Sequence, residues 1–281
     1  MRKGLIGIQM MMLLSKVKKI GPYETLKKCA EMGFRCIELS QIEMSKANVS
    51  EIKRACNEFG IKVAAMSAGV EPATADAKGE FLSTDFNKIV ADCKTLNCSL
   101  LRIGMMPISC MGDKNKVLEF VEKADFYGER LKNEGIELYY HNHHVEFIQY
   151  DGKYLLDIIR DNTKNLGFEI DVHWCQRGGA NPLDVIANYK GRIKLLHLKD
   201  YRIGEIQLDS EGKFVQGFND IVQFAEVGEG TLPMKKIIDL GLECGSEYFL
   251  IEQDNTYSRD PFDSLQISKN NLIKLGYADW F

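Results

Sequence analysis

The stretch NEGIELYYHNHHVEF, residues 133–147, condenses the plan of this 281-residue chain: a helix end, a glycine, a short apolar run, and a polar cluster where the run stops. A glycine after a helix and directly before a strand takes the left-handed closing position at least steric cost. The same joint recurs at Met32-Gly33-Phe34 and Phe59-Gly60-Ile61. Proline at Asn181-Pro182 and Leu232-Pro233 marks helix starts, where a missing N–H costs nothing. Between these markers one unit of apolar run, polar loop and helical spacing repeats eight times. The runs predict strands at 5–9, 36–39, 62–66, 100–103, 136–140, 166–170, 193–196 and 248–251. The spacing predicts helices at 23–32, 50–59, 84–96, 114–133, 154–161, 182–188, 233–240 and 264–275.

Eightfold alternation of strand and helix implies an α/β architecture, a single (β/α)8 TIM barrel with parallel strands. An open doubly wound sheet would want a GxGxxG turn after the first strand, and two half-domains would want a linker; neither is present. Residues 1–281 therefore read as one barrel domain. The longest irregular connection, 201–231, is expected to shield one side of the barrel mouth, with DSEGKF at 209–214 as the turn of a small hairpin.

With 45% hydrophobic and 27% charged residues, the chain is long enough for one large core. Lys plus Arg number 36 against 40 Asp plus Glu, a net charge of -4, so no basic field exists to collect nucleic acid. The eight cysteines are scattered without a CxxC pair and read as small buried apolar residues of a reducing compartment. Met1-Arg2-Lys3 before an apolar run has the outline of a signal peptide. Gly4, Gly7 and Gln9 dilute that run, and Lys16, Lys18 and Lys19 follow without a cleavage site, so a first strand is expected instead. No run reaches the roughly 18 to 20 apolar residues that span a bilayer. A soluble cytoplasmic protein without a membrane partner is the expectation.

All five histidines lie between His141 and His197. The runs in YYHNHHVEF, FEIDVHW, KLLHLKD and YFLIEQD each stop at a His, Asp or Glu, and a parallel barrel gathers such strand ends into one mouth. Asp171, His197 and Glu252 end strands six, seven and eight, and Glu146 follows strand five. Any one of them alone would be a solvated carboxylate or a hydrogen-bonded core histidine; the signal is that they coincide. Three carboxylates and one imidazole suit one divalent ion: Mn²⁺, Co²⁺, Mg²⁺ or Fe²⁺, with Zn²⁺ also open.

The segments YHNHHVEF, DVHW, LHLKD, VGEG and IEQD, in that order, resemble the motifs of the xylose isomerase-like barrel superfamily. The resemblance is to its sugar phosphate isomerase/epimerase group in particular and covers essentially the whole chain. It implies a metal held by Glu146, Asp171, His197 and Glu252, a small sugar or polyol substrate, and is compatible with a homodimer. In many relatives the fifth strand ends in a glutamate ligand, and here that place falls to His141. Either Glu146 reaches back to the metal, or His141 coordinates while Glu146 contacts substrate. Glu146 is the expected ligand, with His141 then orienting a ligand carboxylate.

A divalent ion beside a carbonyl and a neighbouring hydroxyl stabilises the enediolate left when an adjacent C–H proton is removed. Glu252 and His143 are the candidates for base and acid. Lys199 shares a strand face with His197 and is placed to bind a substrate oxygen, or else to form a salt bridge near Asp200 or with Glu169. His173 and Trp174 would give a hydrogen bond and an apolar wall to a sugar ring, and Gln9 would complete the polar mouth. The methionines at 10–12, with Met105 and Met106, read as packing.

Isomerisation or epimerisation of a sugar or keto-sugar is the leading expectation, and manganese its leading metal. The absence of a phosphate-cradling glycine loop favours an unphosphorylated substrate. A lyase or dehydratase acting on an inosose-like ketone or an oxidised glycoside would use the same site. A metal nuclease of abasic sites would need a richer ligand set and a basic groove. A sugar-binding barrel without catalysis shares the fold, which alone does not fix function.

Overall fold

The computed structural model describes residues 3–74, 76–218 and 220–281. Eight parallel strands close into a barrel in chain order. They are β1 Leu5–Gln9, β2 Cys36–Leu39, β3 Lys62–Ser67, β4 Leu100–Ile103, β5 Glu137–His141, β6 Leu166–Asp171, β7 Ile193–Leu198 and β8 Tyr248–Ile251. Closure comes from β1 pairing with β8, in register from Leu5↔Tyr248 to Ile8↔Ile251. The expected bounds hold for β1, β2, β4 and β8, whereas β3, β6 and β7 run on to Ser67, Asp171 and Leu198, and β5 lies one residue later. At the three helix-to-strand joints Gly33, Gly60 and Gly135 have φ of 85°, 66° and 77°, the left-handed conformation that the sequence pattern called for.

The helices at Lys114–Asn133 and Pro182–Asn188 fall where expected. The first helix begins earlier, at Leu14, and is interrupted at Gly21 (φ 80°, ψ 163°) ahead of Pro22. Leu13, Val17 and Ile20 are helically spaced there, but that stretch is short and is cut off from the next by Gly21-Pro22. Two short helices were not expected, Ile108–Met111 and Val172–Arg177. The second springs directly from β6 because the Asp171 side chain caps it, accepting the Trp174 N–H at 2.9 Å.

One apolar shell lies between strands and helices and includes Ile6, Leu26, Phe34, Leu101, Leu138, Phe168, Leu196 and Phe249. A second, smaller cluster with Cys36, Ala65, Leu100, Tyr139, Leu195 and Leu250 belongs to the alternate strand positions, which face into the barrel. Two residues further along the strands the inward positions turn polar. Cys36 gives way to Glu38, Leu100 to Arg102, Tyr139 to His141, Leu195 to His197 and then Lys199, and Leu250 to Glu252. The barrel is thus apolar toward the N-terminal ends of its strands and charged toward the C-terminal ends.

Between β7 and β8 the chain forms an antiparallel hairpin, Asp200–Ile203 with Val222–Ala225. Its tip turns at Asp209, whose carboxylate accepts the N–H groups of Glu211 and Lys213 at 2.9 Å each. The buried Asp200 carboxylate clasps the VGEG segment, accepting N–H groups from Tyr201, Gly228, Gly230 and Leu232 at 2.9 to 3.2 Å. A Cβ at position 230 would collide with that carboxylate, which is why glycine stands there. Among the described residues no helix is long and apolar enough to cross a membrane.

Candidate metal centre and substrate mouth

Strand ends β5 to β8 bring His141, Asp171, His197 and Glu252 together, one ligand atom from each lying within 4.8 Å of the others. All four residues are at most 5% exposed. His197 Nδ1 stands 3.8 Å from Asp171 Oδ2 and in direct contact with Glu252 Oε2. The contacts of these three atoms are ion pairs, with one another and, for Asp171 Oδ2, with the Lys199 ammonium at 3.6 Å. Two buried carboxylates crowding one imidazole nitrogen, with a second imidazole alongside, fit a bound cation. Two imidazoles and two carboxylates form a mixed nitrogen and oxygen set suited to Mn²⁺, Fe²⁺, Co²⁺ or Zn²⁺.

Glu146 lies outside this group. It is buried on the short turn Val145–Phe147, where Oε1 accepts the Tyr140 hydroxyl at 2.8 Å and Oε2 the His143 N–H at 2.7 Å. Its carboxylate folds the HNHHVEF loop back on itself, and the fifth-strand position within the cluster belongs to His141. The charge balance of the cluster is therefore two carboxylates and two imidazoles rather than the three and one expected from sequence.

Lys199 is buried with its ammonium 2.6 Å from Asp254, 3.5 Å from Glu252 and 3.6 Å from Asp171. Burial works against its charge, but Glu252, Asp171 and Asp254 hold its pKa above the usual lysine value. Burial likewise opposes ionisation of Glu252, yet Lys199 and His197 keep it well below the usual carboxylate range. Burial pushes Asp171 up to about 7 against the pull of Lys199. Burial, with Lys199 nearby, brings His143 down to about 4 and His173 to about 3, so both rings are neutral at pH 7.

The mouth has an aromatic side. Lys199 Nζ sits 4.7 Å from the centre of the Trp174 ring and 5.5 Å from that of Phe224. His173 packs against Trp174 at 4.7 Å and Phe224 at 5.0 Å, and His143 lies 5.8 Å from Trp174. Phe224 comes from the hairpin, whose backbone N–H at that residue bonds the Tyr257 hydroxyl at 3.0 Å. His143 Nδ1, His173 Nδ1 and Trp174 Nε1 are buried without partners. Gln9 caps the turn after β1 and stands 3.5 Å from Glu252 Oε1.

Beneath the cluster are Glu38 and Arg102, which sequence did not single out, and Glu169, expected only as a partner for Lys199. Arg102 Nε lies 2.7 Å from Glu38 Oε1 and 3.2 Å from Glu169 Oε2. Glu169 also faces His141 Nδ1 and His197 Nε2, each at 3.2 Å, and so is not the partner of Lys199. Burial opposes ionisation of Glu38, but Arg102 and His197 hold it down to about 2. Burial and then the Glu38 charge push Glu169 up to about 8. The available signal was one charged residue inside each short apolar run, in CIEL, LLRI and FEI.

The chain belongs to the xylose isomerase-like TIM barrel family, whose profile matches residues 26–266. It is 27% identical over 152 residues to an inosose dehydratase of Lacticaseibacillus casei, a match covering 52% of this chain and 50% of that enzyme. The match thus spans only about half the length of that curated relative. The crystal structure of a sugar phosphate isomerase/epimerase from Parabacteroides distasonis shares the fold with a TM-score of 0.74 at 20% identity, covering 98% of this chain and 99% of the other. A xylose isomerase-like TIM barrel protein from Mycobacterium smegmatis, solved in complex with magnesium, superposes with a TM-score of 0.66 at 15% identity over 100% of both chains.

Proposed function

We propose that this protein is a divalent-metal-dependent isomerase or epimerase of a sugar or keto-sugar. The observation that carries the reading is the convergence of His141, Asp171, His197 and Glu252, with carboxylate oxygens of Asp171 and Glu252 facing His197 Nδ1, at the mouth of a barrel of this family. These four side chains would hold the ion, with Glu146 shaping the loop above it. Bound there, a divalent cation supplies the Lewis-acid charge that stabilises an enediolate.

The remaining work falls to the chain. Lys199 holds a fixed positive charge beside Asp171 and Glu252 and is placed to steady a developing oxyanion. Trp174 and Phe224 give one face of the ring an apolar wall, and the free nitrogens of His143, His173 and Trp174 are donors or acceptors for its hydroxyls. Glu252 and His143 would be the carboxylate and imidazole that take the C–H proton and return it to the neighbouring carbon or the opposite face. An unphosphorylated substrate suits this mouth, where Lys199 is already matched by Asp254 at 2.6 Å.

The likeness to an inosose dehydratase favours a second reading, a lyase. The same proton would be removed, the β-carbon to oxygen bond would break, and the leaving hydroxyl would take up a proton to depart as water. Metal content after Mn²⁺ loading and desalting tests the shared premise: about one ion per chain is expected in the wild type and none in Asp171→Ala. Incubating the loaded protein with ketoses, inososes and oxidised glycosides then separates the two, since only dehydration lowers the product mass by one water. A wild type that retains no ion would overturn both.

A further inference from the structure

We propose that Glu38 and Glu169, braced by Arg102, are positioning residues that aim the imidazoles of His197 and His141 at the metal position. This inference rests on the metal-site reading above. His197 has two ring nitrogens with different surroundings. Nε2 points down the barrel to Glu38 Oε2 at 3.1 Å and Glu169 Oε1 at 3.2 Å, while Nδ1 points up to Glu252 and Asp171. An Nε2–H committed to carboxylate acceptors leaves the Nδ1 lone pair for a cation, and fixes the ring's rotation. Glu169 does the same for the second imidazole, its Oε2 lying 3.2 Å from His141 Nδ1. One carboxylate pair thereby orients both nitrogen ligands.

Nothing in barrel construction requires charge at this level. The inward positions two residues before Glu38, Arg102 and His197 are Cys36, Leu100 and Leu195, which pack as ordinary apolar residues. Placing two glutamates and an arginine in a dry interior is costly unless each is paired, and apolar residues of similar volume would do at least as well for stability. Here the pairing is complete: the guanidinium bridges Glu38 and Glu169, and its Nη2 donates to Ser40 Oγ at 2.7 Å. Glu38 Oε2 and Glu169 Oε1, outside the Arg102 contacts, face His197, while Glu169 Oε2 is shared between Arg102 and His141.

The test uses Co²⁺ alone as the probe, read by chelator competition and by its visible absorption band, whose position and intensity report the ligand geometry. Wild type, Glu38→Gln and Glu169→Gln are compared with Glu226→Gln, a buried carboxylate whose partners, Ser264 and Arg259 at 2.7 Å each, are not members of the cluster. The expected result is Co²⁺ affinity lowered about 10- to 100-fold in the first two variants, with a shifted band, and neither change in Glu226→Gln. Should Glu38→Gln fail to fold, Glu169→Gln decides alone. Wild-type affinity and spectrum in a folded Glu38→Gln or Glu169→Gln would overturn the positioning role while leaving the metal reading intact. No Co²⁺ binding by the wild type would overturn the metal reading, and the positioning role with it.

Discussion

The barrel interior and the hairpin between β7 and β8 invert the usual distribution of polarity in opposite ways. Inside, Glu38, Arg102, Glu169 and His197 are at most 4% exposed, and each faces partners within 3.2 Å. Outside, Ile206 is 65%, Leu208 57% and Phe218 81% exposed. Charge in a low-dielectric interior has to be matched group by group, so its geometry is strict. Apolar side chains standing in water have little to lose. Mutational cost should therefore follow partnership rather than hydrophobicity in this molecule.

The sharpest break of that comparison is Arg102→Met, which leaves Glu38 and Glu169 facing one another without their cation. Urea unfolding should show a loss of about 3–5 kcal/mol; a loss of under about 1 kcal/mol would place this network with surface pairs. Next in size is metal linkage. Mn²⁺ at 100 times its dissociation constant should stabilise the wild type by about 2.7 kcal/mol, seen as a rise in unfolding temperature that chelation reverses. Asp171→Ala should show no rise. Asp200→Ala removes the acceptor from four backbone N–H groups and should cost about 2 kcal/mol, each buried unpaired donor being worth roughly 1–3 before water re-enters. Faster limited proteolysis within residues 201–232 would accompany it. Smallest of all, Phe218→Ser should change unfolding by no more than about 0.5 kcal/mol, although it deletes an entire aromatic ring. A larger effect would mean that the exposed arm is covered in solution.

Much of the architecture was legible because local signals agreed with one another. Glycine joints, apolar runs and helical spacing all described the same unit, and the eight strands follow them closely. The misplaced boundaries share one cause. β3, β5, β6 and β7 each extend past the apolar run into Ser67, His141, Asp171 and Leu198, because inward positions near the mouth are polar and an apolar count stops short of them. The helix Val172–Arg177 escaped notice for a related reason: Asp171, read as the end of a strand, also caps that helix.

At the site, sequence grouped Asp171, His197 and Glu252, all of which leave the ends of regular strands where direction is fixed by the pleat. Glu146 follows a loop, and its destination is decided by the Tyr140 hydroxyl and the His143 N–H, contacts that spacing does not encode. Glu38, Arg102 and Glu169 each interrupt a short apolar strand. Their meaning is visible only once the barrel closes and three distant strands share an interior.

The pairing of β1 with β8 also governs how the chain meets the cell during synthesis. Leu5 has no partner on that side until Tyr248 is made, so the β1 edge stays bare over that whole span, joined by a second bare edge on β7 once Leu198 has been added. Trp280, packed on Phe249 at 5.3 Å, arrives later still. Until β8 has been made, a ribosome-bound barrel of this kind is an unfinished sheet, and its yield should depend on chaperones that shield open strand edges during that interval.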